Sequence, residues 1–282
     1  MTCIICADKN FHIEENETRV GLPLVKCKTC ELMYILDKEA KLPEMAKGWF
    51  KDEYWDKRDK DASELDFQSS YSLSKKRTFD SARKYCESFL DGKNSLFDLG
   101  AGPGYALYWF EELGFKVNGI EPAPQYVEKI NEKLQRGSCT TGFAENMNIE
   151  EKFDVVWISG VLHRTFSPHI IFEKVRNILN DDGFVYINVP NIANPTYRKL
   201  GPKQNTNSYH FTKATLSKLL KNTGFKTEKI DCFRSLKKHE GGINRVWSRY
   251  LKLQKNKLYP YYPQKLVSET EGTRIRGIFT KE

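Results

Sequence analysis

The stretch Ser95-Leu96-Phe97-Asp98-Leu99-Gly100-Ala101-Gly102-Pro103-Gly104 is a short, mainly apolar run broken by three glycines at alternate positions. Such a run bounded by glycine predicts a buried strand, and the glycines predict a turn into the next element. That element is YALYWFEEL (105–113), whose apolar residues suit a helix. Further along, KVNGIE (116–121) predicts a second strand and APQYVEKINEKLQ (123–135) a second helix. FDVVWIS (153–159) and GFVYINVP (183–190) predict further strands, separated by the helical HIIFEKVRNIL (169–179). On the N-terminal side, Phe79, Ala82, Tyr85, Cys86, Phe89 and Leu90 recur at three- and four-residue intervals, the stripe of an amphipathic helix. Strands alternating with helices at this pace imply an α/β chain, a mostly parallel sheet covered on both faces. In such a sheet a ligand binds beyond the carboxyl ends of the strands, where the glycine turn lies.

The chemistry of the turn narrows the ligand. Glycines at 100, 102 and 104 remove side chains and let backbone approach a ligand at the helix start. Glu121 closes the second strand, where a carboxylate can accept both hydroxyls of a ribose, so the expected ligand contains adenosine. A dinucleotide would want GxGxxG, whereas here the third glycine comes one residue early and Asp98 stands at the mouth of the turn. A carboxylate there disfavours a pyrophosphate. It suits a ligand with an ammonium group, and S-adenosylmethionine carries that group and a positively charged sulfur.

Composition bounds the rest. With 282 residues, 39% hydrophobic and 29% charged, the chain can bury a full domain core and has room for a small appendage. Cys3, Cys6, Cys27 and Cys30 form two CxxC pairs, while Cys86, Cys139 and Cys232 are single. Two CxxC pairs at this separation can place four thiolates tetrahedrally around zinc, and a site filled by four protein ligands is structural. Lys9, Lys26 and Lys28 stand near in sequence to offset the thiolate charge. A segment of this size has too little core alone, and the metal supplies the difference. The organisation expected is a zinc ribbon at 1–37, a charged linker at 38–70 with Tyr54 and Trp55 as anchors, and a catalytic domain at 71–282. No charge-free run approaches the roughly 18 residues of a membrane span. The opening MTCIICADKN has neither a basic leader nor an apolar signal core, which points to the cytoplasm. Residues 233–282 hold 12 Lys and Arg against four Glu, the whole of the net +8. That surplus suits a phosphate-bearing partner or a solvated face.

LFDLGAGPG, GIEPAP, FDVVWISGVLHR, LNDDGFVYINVPN and YHFTKATLSKLLKNTGF, preceded by KCKTCELMYIL and EYWDKR, resemble in this order the class I S-adenosylmethionine-dependent methyltransferases that carry an N-terminal zinc ribbon. The resemblance covers nearly the whole chain. It implies a Rossmann-like sheet of seven strands whose last, TRIRGIFTK, runs antiparallel, and acceptors among sugars, surface-polysaccharide precursors and small natural products. Carried over position by position, Gly100, Ala101, Gly102 and Gly104 contact the methionine part of the cofactor, and Glu121 with Pro122 holds the ribose. Ala144 and Glu145 edge the adenine, and Ser159 and Gly160 border the methyl group. For Glu145 a carboxylate at a helix start is an equal alternative.

Methyl transfer to a hydroxyl needs alignment and a base. Two of five histidines stand where the fold puts the pocket, His163 in VLHR and His210 in SYHFT, and each is a candidate base against a hydrogen-bonded or capping role. VLHR keeps the family pattern only in part. Asn191, Asn194, Tyr197 and Tyr209 flank the same mouth and could bind a polyhydroxylated acceptor or serve as loop residues. A basic insertion at about 235–271 offers an amphipathic helix through Ile243, Val246, Tyr250 and Leu253, with Tyr259, Tyr261 and Tyr262 beyond it. The leading expectation is O-methylation of a small phosphorylated or nucleotide-linked carbohydrate. RNA base methylation and a non-catalytic cofactor-binding scaffold are the alternatives.

Overall fold

The structure is a computed structural model that describes residues 2–18, 20–36, 70–204, 207–235 and 264–282. The expected linker and most of the basic insertion, with its helix and tyrosines, lie outside the described residues. The chain opens with three short strands, Phe11–Glu15 (β1), Leu24–Cys27 (β2) and Met33–Ile35 (β3), paired antiparallel in that order. Two helices, Ser70–Tyr85 (α1) and Glu87–Leu90 (α2), precede the alternating region. That region runs Ser95–Leu99 (β4), Tyr105–Glu112 (α3), Lys116–Glu121 (β5), Pro124–Lys133 (α4), Gly137–Thr141 (β6), Phe153–Ser159 (β7), Pro168–Ile178 (α5) and Leu179–Pro190 (β8). Then follow Pro195–Gln204 (α6), Tyr209–His210 (β9), Lys213–Asn222 (α7), Phe225–Ser235 (β10), Gln264–Val267 (β11) and Arg274–Lys281 (β12).

Among the described residues the main sheet has eight strands, in the order β11-β10-β12-β8-β7-β4-β5-β6. From β8 to β6 every pairing is parallel, and β12 runs antiparallel between β8 and β10. The expected count of seven is corrected to eight. Residues 264–267, read in sequence as part of the basic insertion, pair antiparallel with β10 and add an edge strand. β8 also starts earlier than its apolar run suggests, because Leu179 pairs with Phe153 ahead of an irregularity in register.

Side chains alternate along each strand, so the sheet buries two apolar layers. Phe97, Leu99, Val156, Ile158, Val185 and Ile187 face α5 and α7. Leu96, Trp157, Tyr186 and Ile278 face α1 and α3, where Phe79, Tyr105 and Trp109 cover them. The N-terminal strands join the first layer: Ile5, Val25, Leu32 and Tyr34 belong to the same apolar cluster as Leu216 and Leu219. Their sheet is completed by β9, with Met33 opposite His210 and Tyr34 opposite Tyr209. No helix among the described residues is long and apolar enough to cross a membrane.

Candidate active site

The turn from β4 into α3 is built by glycines with three different surroundings. All three have positive φ, +75° at Gly100, +54° at Gly102 and +82° at Gly104, a conformation that costs an L side chain. A Cβ at Gly100 would lie 2.5 Å from Val161, and one at Gly104 would lie 2.6 Å from Ile130. At Gly102 it would meet nothing within 4 Å. Gly100 and Gly104 are therefore glycine because protein packs against them, and Gly102 because the chain must leave a space. The amides of Gly100 and Ala101 donate to the Ile120 carbonyl, that of Gly104 to Ala101, and that of Gly102 to Glu121. A turn whose N–H groups are internally satisfied in this way is a poor cradle for pyrophosphate.

Two carboxylates face this space. Register places Asp98 and Glu121 on the sheet face that also carries Trp157 and Tyr186. Both are buried, at 4% and 5% exposure. Glu121 Oε2 accepts from the Gly102 amide at 2.8 Å and Oε1 from the Ala123 amide at 3.1 Å, so each oxygen keeps acceptor capacity for a diol. Burial raises the Glu121 pKa, and the Gly102 and Ala123 amides oppose the rise. Burial, followed by the charge on Glu121, pushes Asp98 up to about 8. Two buried acids with no cation between them among the described residues favour a positively charged ligand. An open glycine, a diol acceptor and an acid awaiting a cation fit S-adenosylmethionine. Pro122, half-buried, leads from Glu121 into α4. Ala144 is buried in the turn after β6. Glu145 Oε1 accepts from the amides of Phe166 at 2.7 Å and Ser167 at 3.4 Å, the helix-start arrangement of its alternative reading, at the entrance to α5.

The same sheet face continues past β4. Ser159, exposed at the end of β7, pairs in register with Asn188 of β8, and Asn188 with Arg276 of β12. Gly160 follows with φ +82°, and a Cβ on it would lie 3.8 Å from Arg274 Nη2. Arg274 Nε donates to Asn188 Oδ1 at 2.7 Å. Reading the sequence missed Asn188 and Arg274. The available signal for Arg274 was two arginines at alternate positions in TRIRGIFTK, expected only as the last strand.

Ser208 ties the turn that bears His163 to the segment that bears His210. Its amide donates to the His163 carbonyl at 2.8 Å, its Oγ to the Arg164 carbonyl at 3.0 Å, and its own carbonyl accepts from the Ile35 amide of β3. His163 and His210 are both buried, at 4% and 2% exposure. His210 Nδ1 lies 3.4 Å from the Tyr197 hydroxyl, which accepts from Asn207 at 2.8 Å. Three of the residues expected to flank the acceptor mouth bond to the protein itself. Asn191 is fully buried, and its side-chain nitrogen donates to the carbonyls of Glu269 at 2.7 Å and Gly272 at 2.9 Å, so it fastens the segment before β12. The Tyr209 hydroxyl donates to the Phe166 carbonyl at 2.6 Å in a buried position. Asn194 likewise holds the carbonyls of Thr270 and Glu271.

The four cysteines of the two CxxC pairs converge. All Sγ atoms lie within 4.8 Å of one another, with Cys3 to Cys30 at 3.3 Å and Cys6 to Cys27 at 3.5 Å. Four sulfurs about 2.3 Å from a tetrahedral ion would be about 3.8 Å apart, so the cluster has the dimensions of a zinc site. Both knuckles close with the same turn: Ala7 N to Cys3 O and Glu31 N to Cys27 O, with Ala7 and Glu31 at positive φ. Burial, and then the neighbouring thiols, drive the Cys30 thiol strongly upward, so four thiolates require a cation among them.

Comparison with known proteins gives a consistent result. The chain is 25% identical over 123 residues to a ubiquinone biosynthesis O-methyltransferase of Glaesserella parasuis, across 38% of this chain and 52% of that one. It thus spans about half the length of that curated relative. Among solved structures it superposes on a possible histamine N-methyltransferase of Thermotoga maritima with TM-score 0.53 and 19% identity, covering 74% of this chain and 92% of that one. It also superposes on the 1,6-didemethyltoxoflavin-N1-methyltransferase of Burkholderia thailandensis, solved with S-adenosylhomocysteine, at TM-score 0.53 and 14% identity, covering 90% and 97%. These likenesses fix the fold. Residues 68–230 match the family described as Methyltransferase domain, more than half of the sequence, and the chain belongs to that family, the class I S-adenosylmethionine-dependent methyltransferases.

Proposed function

We propose that this methyltransferase acts on an oxygen of a small carbohydrate carrying a phosphate or nucleotide, and that zinc held by Cys3, Cys6, Cys27 and Cys30 stabilises its N-terminal ribbon. The observation that carries the acceptor reading is the polar, cationic edge of the sheet beyond Ser159, where Asn188 and Arg274 stand beside Gly160. Gly100, Ala101, Gly102 and Gly104 shape the methionine end of the donor site, Asp98 takes its ammonium, and Glu121 with Pro122 takes the ribose. Ala144 borders the adenine, while Glu145 acts through the α5 entrance. The donor supplies an electrophilic methyl group when bound.

The chain's own task is alignment and proton removal. In this reading His210, reached through the Tyr197 hydroxyl at 3.4 Å, accepts the proton of the acceptor hydroxyl. His163 is the alternative base on the turn after β7. Labelled donor with a panel of sugar phosphates and nucleotide sugars tests the proposal, with the pH–rate profiles of His210→Asn and His163→Asn separating the two bases. Transfer to at least one sugar phosphate or nucleotide sugar is expected. Transfer to RNA alone would overturn the acceptor class.

A further inference from the structure

We infer that Arg274 is an oxyanion anchor for the acceptor, binding a carboxylate or phosphate group at the carboxyl edge of the sheet across from the donor site. The inference rests on the reading above, in which the donor lies at the glycine turn. It stands on register, contact and charge.

By register, Glu121, Asp98, Ser159 and Asn188 share one face of four adjacent strands, and Arg274 and Arg276 continue it on β12. Neighbouring strands lie about 4.8 Å apart, so β12 stands about 14 Å across the sheet from β4. That span suits the end of a donor plus one small acceptor. The turn after β7 touches both ends of it: Val161 packs on Gly100 at the donor side, and Gly160 faces Arg274 at the other.

The contacts of Arg274 and Arg276 explain why only one of them is free to serve. Arg276 is 2% exposed, and its terminal nitrogens are taken by Ser81 of α1 and Gln264 of β11 while the guanidinium lies 3.8 Å over the Phe233 ring. Arg274 is half-buried and, among the described residues, is gripped only through Nε by a neutral amide, Asn188 Oδ1. Among the described residues no carboxylate pairs with it. The charged groups acting on it are Arg276 and Arg164, both cations, together with the phenols Tyr186 and Tyr197. A guanidinium is costly to desolvate without an anion, and one fixed at Nε still presents its terminal nitrogens as a fork for two oxygens. Burial lowers its pKa to about 10, so it stays cationic at neutral pH.

The test titrates inorganic phosphate and, separately, benzoate into the full chain, each with and without saturating S-adenosylhomocysteine, by calorimetry. Saturable binding of at least one anion is expected, with the two arms telling phosphate from carboxylate recognition. Arg274→Met should weaken it by about tenfold or more, and Arg274→Lys should recover part of the loss. Affinity for S-adenosylhomocysteine, unchanged in both variants, reports that each is folded. Absence of saturation by either anion in the unaltered protein, or equal binding by Arg274→Met, overturns the anchor. Failure to bind S-adenosylhomocysteine overturns the donor reading instead, because the anion titrations are read separately.

Discussion

Asp98 is buried near the end of β4, and its protonation is the residue-level property most open to experiment. Its carboxyl, pushed up to about 8, is largely protonated at pH 7 in the ligand-free protein. An ammonium group requires the carboxylate, so donor binding should release a proton. Affinity should then rise by up to about tenfold per pH unit between pH 6 and 8 and level off above. Calorimetry in buffers of different ionisation heat would measure this, and Asp98→Asn should weaken binding and flatten the pH dependence. The glycines give a second prediction. Gly100→Ala forces a Cβ into Val161 and should cost about 1–3 kcal/mol of stability by thermal melting. Gly102→Ala meets open space, so its larger effect should fall on donor affinity. Much of this corner was legible in the sequence, because glycine spacing and the distance to Glu121 are local. Asn191 was not: its partners lie 78 and 81 residues away, and an asparagine in a loop looks the same whether it holds a ligand or a distant carbonyl.

At the scale of elements, β9 does more than connect. It is two residues long, yet it joins the cysteine-bearing strands through Met33 and Tyr34 and, through Ser208, grips the turn that bears His163. If zinc holds the ribbon, chelation should unsettle β3, then β9 and the His163 turn. Removing the metal should lower the melting temperature, by about 2–4 °C for each kcal/mol of metal-linked stability lost. One zinc per chain by elemental analysis, lost in Cys27→Ser, is the accompanying measurement. The strands at 95–99, 116–121 and 153–159 were readable because apolar runs flanked by turn residues mark buried parallel strands. β9 and β11 were not, since strands of two and four residues carry no usable period, and their existence depends on partners far along the chain.

For the molecule as a whole, the proposed donor site concentrates two acids that are costly to ionise. Both Asp98 and Glu121 titrate above their ordinary values in the folded chain. The folded state therefore keeps protons that the unfolded state has already lost. For Asp98 the stabilisation is complete below about pH 4 and disappears as pH rises through about 8, and Glu121 contributes in the same direction. The ligand-free protein should lose about 2 kcal/mol between pH 6 and 8, read as a falling melting temperature, and saturation with S-adenosylhomocysteine should remove most of that slope. The pairing of β3 with residues 209 and 210 bears on biosynthesis as well. A ribosome delivers the cysteine hairpin long before its fourth strand, leaving a raw edge with unpaired amides in the interval. Any fragment ending ahead of position 209 inherits that adhesive edge, so nascent chains of intermediate length are where chaperones have most to shield.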